Sequence, residues 1–119
     1  MAAGTTDAVQ VAVRVKPLSD AELNDGVQKC VRLSDGQIVV GGQRPFAFDY
    51  VYGPEDHTEH LFHELVEPLL DNAFLSGYNA TVFAYGQTGA GKTHTMNGIT
   101  KLAVRRICRF LHEAVKEAE

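Results

Sequence analysis

The 119-residue sequence has no tryptophan, two cysteines and two methionines. No apolar stretch reaches the roughly 18 residues that a membrane-spanning helix needs. Cys30 and Cys108 are too few for a disulfide framework and too far apart for a metal-type pair. They read as two reduced thiols, the pattern of an intracellular chain. The N-terminus, MAAGTTDA, has neither a basic n-region nor an apolar h-region, so no secretory signal is expected. Positive charge is also scarce: 11 Lys and Arg stand against 15 Asp and Glu, for a net charge of −4. The acidic excess of the first part of the chain, residues 1–98, argues against bulk nucleic-acid binding there. What is present is an ordinary globular composition, 45% apolar and 22% charged. The length suits one small domain of about 100–150 residues. Charge is uneven: residues 1–98 carry 6 basic and 12 acidic side chains, and residues 99–119 carry 5 and 3. The basic end, with Arg105, Arg106 and Arg109, fits either a solvated helix face or an acidic partner.

Periodicity sets the elements. Val9, Val11, Val13 and Val15 alternate with Gln10, Ala12, Arg14 and Lys16, which reads as a strand with one apolar face. Pro17 cannot donate to a ladder and should end it. Ser19-Asp20 is a start for a short helical turn. Strands are expected over 31–33, 38–40 and 46–51, with Asp35-Gly36 and Gly41-Gly42 as the turns. A helix should begin near Asp56 or Thr58. Its apolar face is set by Leu61, Leu65 and Leu69 beside Phe62, Val66, Leu70 and Phe74, as for a helix packed on a sheet. Pro68 should kink or split it, and Gly77 should stop it. Residues 80–85, Ala-Thr-Val-Phe-Ala-Tyr, suit a buried parallel strand. From about Gly91 the chain can run as helix to its end, with Leu102, Ile107, Phe110, Leu111 and Val115 as an apolar stripe. Strand, helix, strand, glycine-rich loop and helix in that order make an α/β pattern. Residues 1–8 read as a disordered tail.

One motif carries chemistry. Gly86-Gln87-Thr88-Gly89-Ala90-Gly91-Lys92-Thr93 matches G-x-x-x-x-G-K-[ST] in full. Glycines allow positive φ and bring backbone N–H groups close to phosphate oxygens. Those donors form an anion-binding concavity backed by the dipole of the following helix. Lys92 supplies a point charge to the terminal phosphates. Thr93 supplies a hydroxyl to Mg²⁺, a metal that keeps several waters and bridges phosphates. ATP with Mg²⁺ is the expected ligand. Hydrolysis also needs a metal-shell carboxylate and a group that orients water. Nothing after residue 93 supplies these, and Asp49 and Asp71 read more simply as a turn residue and a helix-surface charge. The catalytic residues are therefore unknown.

Residues 77–96, Gly-Tyr-Asn-Ala-Thr-Val-Phe-Ala-Tyr-Gly-Gln-Thr-Gly-Ala-Gly-Lys-Thr-His-Thr-Met, resemble the P-loop region of the kinesin motor domain. Arg14-Val15-Lys16-Pro17 resembles the family's R-x-R-P motif. Residues 46–52, Phe-Ala-Phe-Asp-Tyr-Val-Tyr, resemble its F-x-F-D-x-V-F segment. The wording over 77–91 is similar to the kinesin-4 (chromokinesin) group. The resemblance implies a P-loop NTPase with a central sheet flanked by helices. It implies that Arg14 and Pro17 border the adenine, with His94 on the base's other side. It also implies a microtubule-stimulated ATPase in the parent protein, acting in the cytoplasm on the cytoskeleton, with tubulin as partner. Nothing points to a membrane or to nucleic acid.

The departures are specific. Lys16 stands where a second Arg is usual, and Lys lacks the planar fork for bidentate contacts. After Met96-Asn97-Gly98 the family's interrupting loop reads as deleted or collapsed, so the helix after the P-loop should be nearly continuous. Lys101 and Leu102 stand where Pro and Arg are usual. Segments of the N-x-x-S-S-R-S-H and D-L-A-G-S-E types do not occur. Residues 9–119 thus read as the N-terminal third of a motor domain, truncated after the helix that follows the P-loop. Two alternatives stand beside this reading: a truncated, non-motile nucleotide-binding fragment, and another P-loop NTPase such as a nucleotide kinase. That last rival expects its loop near the N-terminus and a basic lid downstream, whereas here the loop is late.

Weaker signals have bland readings. His57, His60 and His63 lie three apart, off the i+4 spacing of two-histidine zinc helices, and fit a polar helix start. Cys108 reads as a small buried hydrophobe. Tyr78 and Tyr85 read as packing residues.

Overall fold

The computed structural model describes residues 9–119, so the N-terminal tail of residues 1–8 lies outside the described residues. The chain divides into two compact units, one ending at Glu55 and one running from Asp56 to Glu119.

The first unit holds two small sheets. Strands β1 (Ala12–Arg14) and β5 (Tyr50–Tyr52) pair in parallel, with Val13 opposite Val51. The expected strand over 9–15 is thus shorter as a ladder, although the Val15 N–H still donates to the Tyr52 carbonyl at 2.9 Å. Asp49 fixes the other end: its carboxylate accepts from the Val11 N–H at 2.7 Å. Between the two strands lies α1 (Asp20–Asn24). Ser19 caps it, and Glu22 reaches back to the Ser19 N–H at 2.7 Å in a complete capping box. The Ser19 hydrogen bonds, with Lys16 nearby, hold the Glu22 carboxyl below its ordinary pKa. Strands β2 (Val31–Ser34), β3 (Gln37–Val40) and β4 (Phe46–Ala47) form an antiparallel meander. Gly36, at φ 69°, makes the tight turn that sets Leu33 opposite Ile38. The segment expected as one strand over 46–51 is two, β4 and β5, broken at Phe48-Asp49 where the chain passes from one sheet to the other.

The second unit is helical. Helix α2 (Thr58–Leu61) runs into a π-helical turn (Phe62–Val66) and then α3 (Glu67–Ser76). Pro68 explains the turn. It has no N–H and its ring clashes with the carbonyl four residues back. The backbone widens by one residue just before it, with the Glu67 N–H donating to the Phe62 carbonyl. Gly77 ends α3 in the left-handed conformation, φ 71°, donating to the Ala73 carbonyl at 2.9 Å. Helix α4 (Lys92–Ala118) is continuous over 27 residues, as the missing interruption implied.

The core of this unit is the apolar face of α2 and the π turn against α4. Leu61, Phe62, Val66 and Ile99 are buried, each worth about 1.5–3 kcal/mol. Phe74 of α3 stacks on Phe110 of α4, with centroids 4.5 Å apart. Arg106 of α4 donates twice to Asp71 of α3, at 3.0 and 2.8 Å, and lies 3.5 Å from Glu67. Asp71 is therefore a helix clamp rather than a plain surface charge. Its hydrogen bond holds Arg106 above the ordinary guanidinium pKa; Glu67 and Glu113 add to this and partial burial offsets it. Gly98 permits the closest approach. A Cβ there would lie 2.7 Å from Cγ2 of Thr58.

Four expectations fail here. Residues 80–85 form no strand. They run extended without a ladder, and Phe83 and Tyr85 are 80% and 97% exposed. A parallel strand holds only with neighbours on its edges and helices over its faces, and 80–85 pairs with no strand in either described sheet. Tyr78 and Tyr85, expected to pack, are both largely exposed. Cys108 is exposed, because it points away from the face of α4 that meets α2 and α3. For the same reason the apolar stripe of α4 divides: Leu102, Ile107 and Phe110 are half-buried, whereas Leu111 and Val115 are exposed.

Candidate phosphate-binding site

The glycine-rich sequence forms a tight loop that feeds α4. Gly89 and Gly91 take φ 82° and 98°, backbone that side-chain-bearing residues rarely adopt. The Ala90 N–H donates to the Gln87 carbonyl at 3.1 Å, closing the turn. The start of the loop folds back on its end: a Cβ at Gly86 would lie 3.1 Å from Cβ of Ala90 and 3.9 Å from Cγ of Lys92. A side chain is therefore disfavoured at three of the loop's glycines, by backbone conformation at Gly89 and Gly91 and by a tight contact at Gly86.

Gly91 is the N-cap residue of α4 and has no side chain to accept from the first-turn N–H groups. The Thr95 N–H donates to the Gly91 carbonyl at 3.0 Å, which starts the helical ladder. The first turn contains no acidic residue. Its residues are Lys92, half-buried against the loop, then Thr93 and His94, both exposed. Backbone donors, the positive end of a long helix dipole and an ammonium group thus share one place, with no carboxylate in that turn to oppose an anion. These residues fit a phosphate group. The Thr93 hydroxyl, accessible at the second helical position, fits an oxygen ligand for Mg²⁺.

Residues Gly86, Gln87, Thr88, Gly89, Ala90, Gly91, Lys92, Thr93 and His94 are contiguous in the second unit. Arg14 and Pro17 stand at the end of β1 in the first, Arg14 half-buried and Pro17 exposed. The helix that the motif requires follows the loop, but no strand precedes it. His60 pairs with Asp56 at 3.2 Å and with Glu64 at 3.8 Å, and His63 pairs with Glu67, so these histidines are occupied by carboxylates four residues away. Sequence reasoning missed the Asp71–Arg106 clamp and the Thr58–Gly98 contact. Each joins residues more than 30 positions apart, and no local spacing announces them.

The sequence profile of the kinesin motor domain matches residues 14–119. The chain belongs to the kinesin motor domain family. It is 46% identical to the mouse chromosome-associated kinesin KIF4 over 92 residues, covering 76% of this chain and 7% of that protein. It is 50% identical to the mouse kinesin-like protein KIF7 over 90 residues, 74% of this chain and 7% of that protein. Human kinesin-like protein KIF21A is 38% identical over 119 positions, 88% of this chain and 7% of that protein. The chain thus spans about 7% of the length of these curated relatives. Family membership carries the P-loop NTPase type of α/β fold, and the mixed strands and helices described above accord with it.

Proposed function

We propose that this chain is the nucleotide-phosphate-binding portion of a kinesin motor domain, and that its ligand is ATP with Mg²⁺. The observation that carries the reading is the loop over 86–91, with positive φ at Gly89 and Gly91, opening directly onto the uncapped N-terminus of α4. In this reading the backbone N–H groups of the loop hold the phosphates. Lys92 places its ammonium on the terminal phosphates. Thr93 offers its hydroxyl to the metal, and bound Mg²⁺ neutralises phosphate charge. By family resemblance, Arg14, Pro17 and His94 border the base; proline and imidazole offer flat surfaces and the guanidinium can stack.

The parent protein's activity is proposed as microtubule-stimulated ATP hydrolysis driving movement on the cytoskeleton, with tubulin as partner and a central sheet completed by further strands. The 119 residues alone bind nucleotide and do not turn it over efficiently, because the groups that complete the metal shell and orient water are not among them. Titration calorimetry with Mg·ATP on the wild type and Lys92→Ala tests the binding. Saturable heat that weakens at least tenfold in the variant is expected; equal binding by both proteins refutes the assignment. Phosphate release is expected to be indifferent to added microtubules. Stimulation that Lys92→Ala abolishes would refute that part.

A further inference from the structure

A helix interior disfavours glycine unless its missing side chain is needed. At Gly98 of α4 it is needed. A Cβ there would lie 2.7 Å from Cγ2 and 3.3 Å from Cβ of Thr58. Thr58 is the first residue of α2, and Leu61 and Phe62 are buried a turn later, so its backbone has little room to retreat. The Thr58 side chain therefore rests against the bare backbone of α4 as a stop.

This contact, the Arg106–Asp71 clamp and the Phe74–Phe110 stack each hold α4 within its unit. They differ in their distance from the phosphate loop. Gly98 lies six residues beyond Lys92, about 9 Å along the axis. Arg106 lies about 21 Å beyond it, and Phe110 farther still. Lys92 belongs to the packed side of the helix, because it shares an arc of about 40° with Ile99, Arg106 and Phe110. The loop in turn follows the first turn of α4. Gly91 is the N-cap residue, and a Cβ at Gly86 would lie 3.9 Å from Cγ of Lys92. A displacement of that first turn is passed to the loop's backbone donors.

We propose that Thr58 is a positioning residue for the phosphate site, acting through Gly98. Its part is indirect. It fixes where the first turn of α4 stands, and with it the loop donors, the Lys92 ammonium and the Thr93 hydroxyl. The inference rests on the phosphate reading above and adds to that site a residue from a different helix. The geometry sets its sensitivity. Opening the 2.7 Å approach to an ordinary carbon–carbon contact separates the two helices by about 1 Å. A binding constellation works only within about 0.5 Å of its productive geometry. The Arg106 clamp, more than twice as far from Lys92, steadies the helix without setting its first turn.

The test measures Mg·ATP affinity by titration calorimetry on the full chain, at a temperature where circular dichroism shows every variant folded. Gly98→Ala is expected to bind about fivefold more weakly than the wild type, or worse. Thr58→Ala/Gly98→Ala, which makes room for the added methyl, is expected to bind within about twofold of the wild type. Arg106→Ala is expected to do the same although it lowers the urea midpoint. Amide spectra without nucleotide accompany these titrations. Gly98→Ala should move the Gly89, Gly91 and Lys92 resonances, and the double variant should return them. Wild-type affinity in Gly98→Ala overturns the inference and leaves the phosphate reading standing. So does a double variant as weak as Gly98→Ala, or an equal loss in Arg106→Ala, since either marks a general effect of stability. Absence of binding by the wild type removes the phosphate reading itself, and the inference with it, whether or not the resonances move.

Discussion

Gly98 sits in the middle of a 27-residue helix, where glycine is an unfavourable choice. On an exposed helix, Gly98→Ala would stabilise the chain by about 0.5–1 kcal/mol through the backbone entropy it removes. Here the added methyl would lie 2.7 Å from Cγ2, 3.3 Å from Cβ and 3.4 Å from Oγ1 of Thr58. Rotating Thr58 about χ1 moves Cγ2 but not Cβ, so no rotamer clears the contact and α2 must shift. Overpacking of this kind costs about 1–3 kcal/mol. Gly98→Ala should therefore destabilise the chain by a net ~0.5–2 kcal/mol. In Thr58→Ala, which removes two of the three close atoms, the same substitution should cost little. A double-mutant cycle from urea unfolding followed by circular dichroism should give a coupling of about 1 kcal/mol or more. If Gly98→Ala raises stability equally in both backgrounds, α2 does not cross α4 at this glycine and the packing described for the second unit is wrong.

Other perturbations test neighbouring links. Arg106→Ala should lower the urea midpoint and Arg106→Lys only partly restore it, because Lys cannot donate in the two-pronged way Asp71 accepts. Pairing Arg106→Asp with Asp71→Arg should recover more than either change alone. Ser19→Ala should cost about 1 kcal/mol as the loss of a helix cap. Glu22 has a folded pKa below its unfolded one, so its contribution is complete above the usual carboxylate range and is lost as the pH falls through the folded value. Unfolding midpoints from pH 7 to 3 should thus fall less steeply in Glu22→Gln than in the wild type. Gly77→Ala should destabilise the end of α3 by about 1 kcal/mol through the left-handed backbone alone, since no atom lies within 4 Å of its Cβ position; Gly77→Asn should cost less.

Signals that act within a few residues were legible in the sequence. The helical start at Ser19-Asp20, the Asp35-Gly36 turn, the stop at Gly77 and the unbroken run of α4 all follow from local backbone chemistry, and all are observed. Pro68 marked the break, though not that it would be a π turn. The phosphate loop was legible because its motif is contiguous and each of its residue types has a backbone reason. What failed depends on partners. Residues 80–85 have a strand's composition, but composition supplies no edge to pair with, and Phe83 and Tyr85 stand in solvent. Cys108, Leu111 and Val115 are apolar at helical spacing, yet a helix has more than one side and periodicity does not name the one that is covered. Asp71 looked like a surface charge because nothing near it in sequence points to Arg106.

The most direct test of the phosphate assignment is the amide spectrum of the 15N-labelled chain during titration with Mg·ATP. The account predicts that the largest shifts fall on Gly89, Gly91, Lys92 and Thr93, and that in Lys92→Ala the shifts at Gly89, Gly91 and Thr93 need at least tenfold more nucleotide to reach half their size. Shifts confined to other residues, or no shift at those four amides at saturating nucleotide, would contradict it.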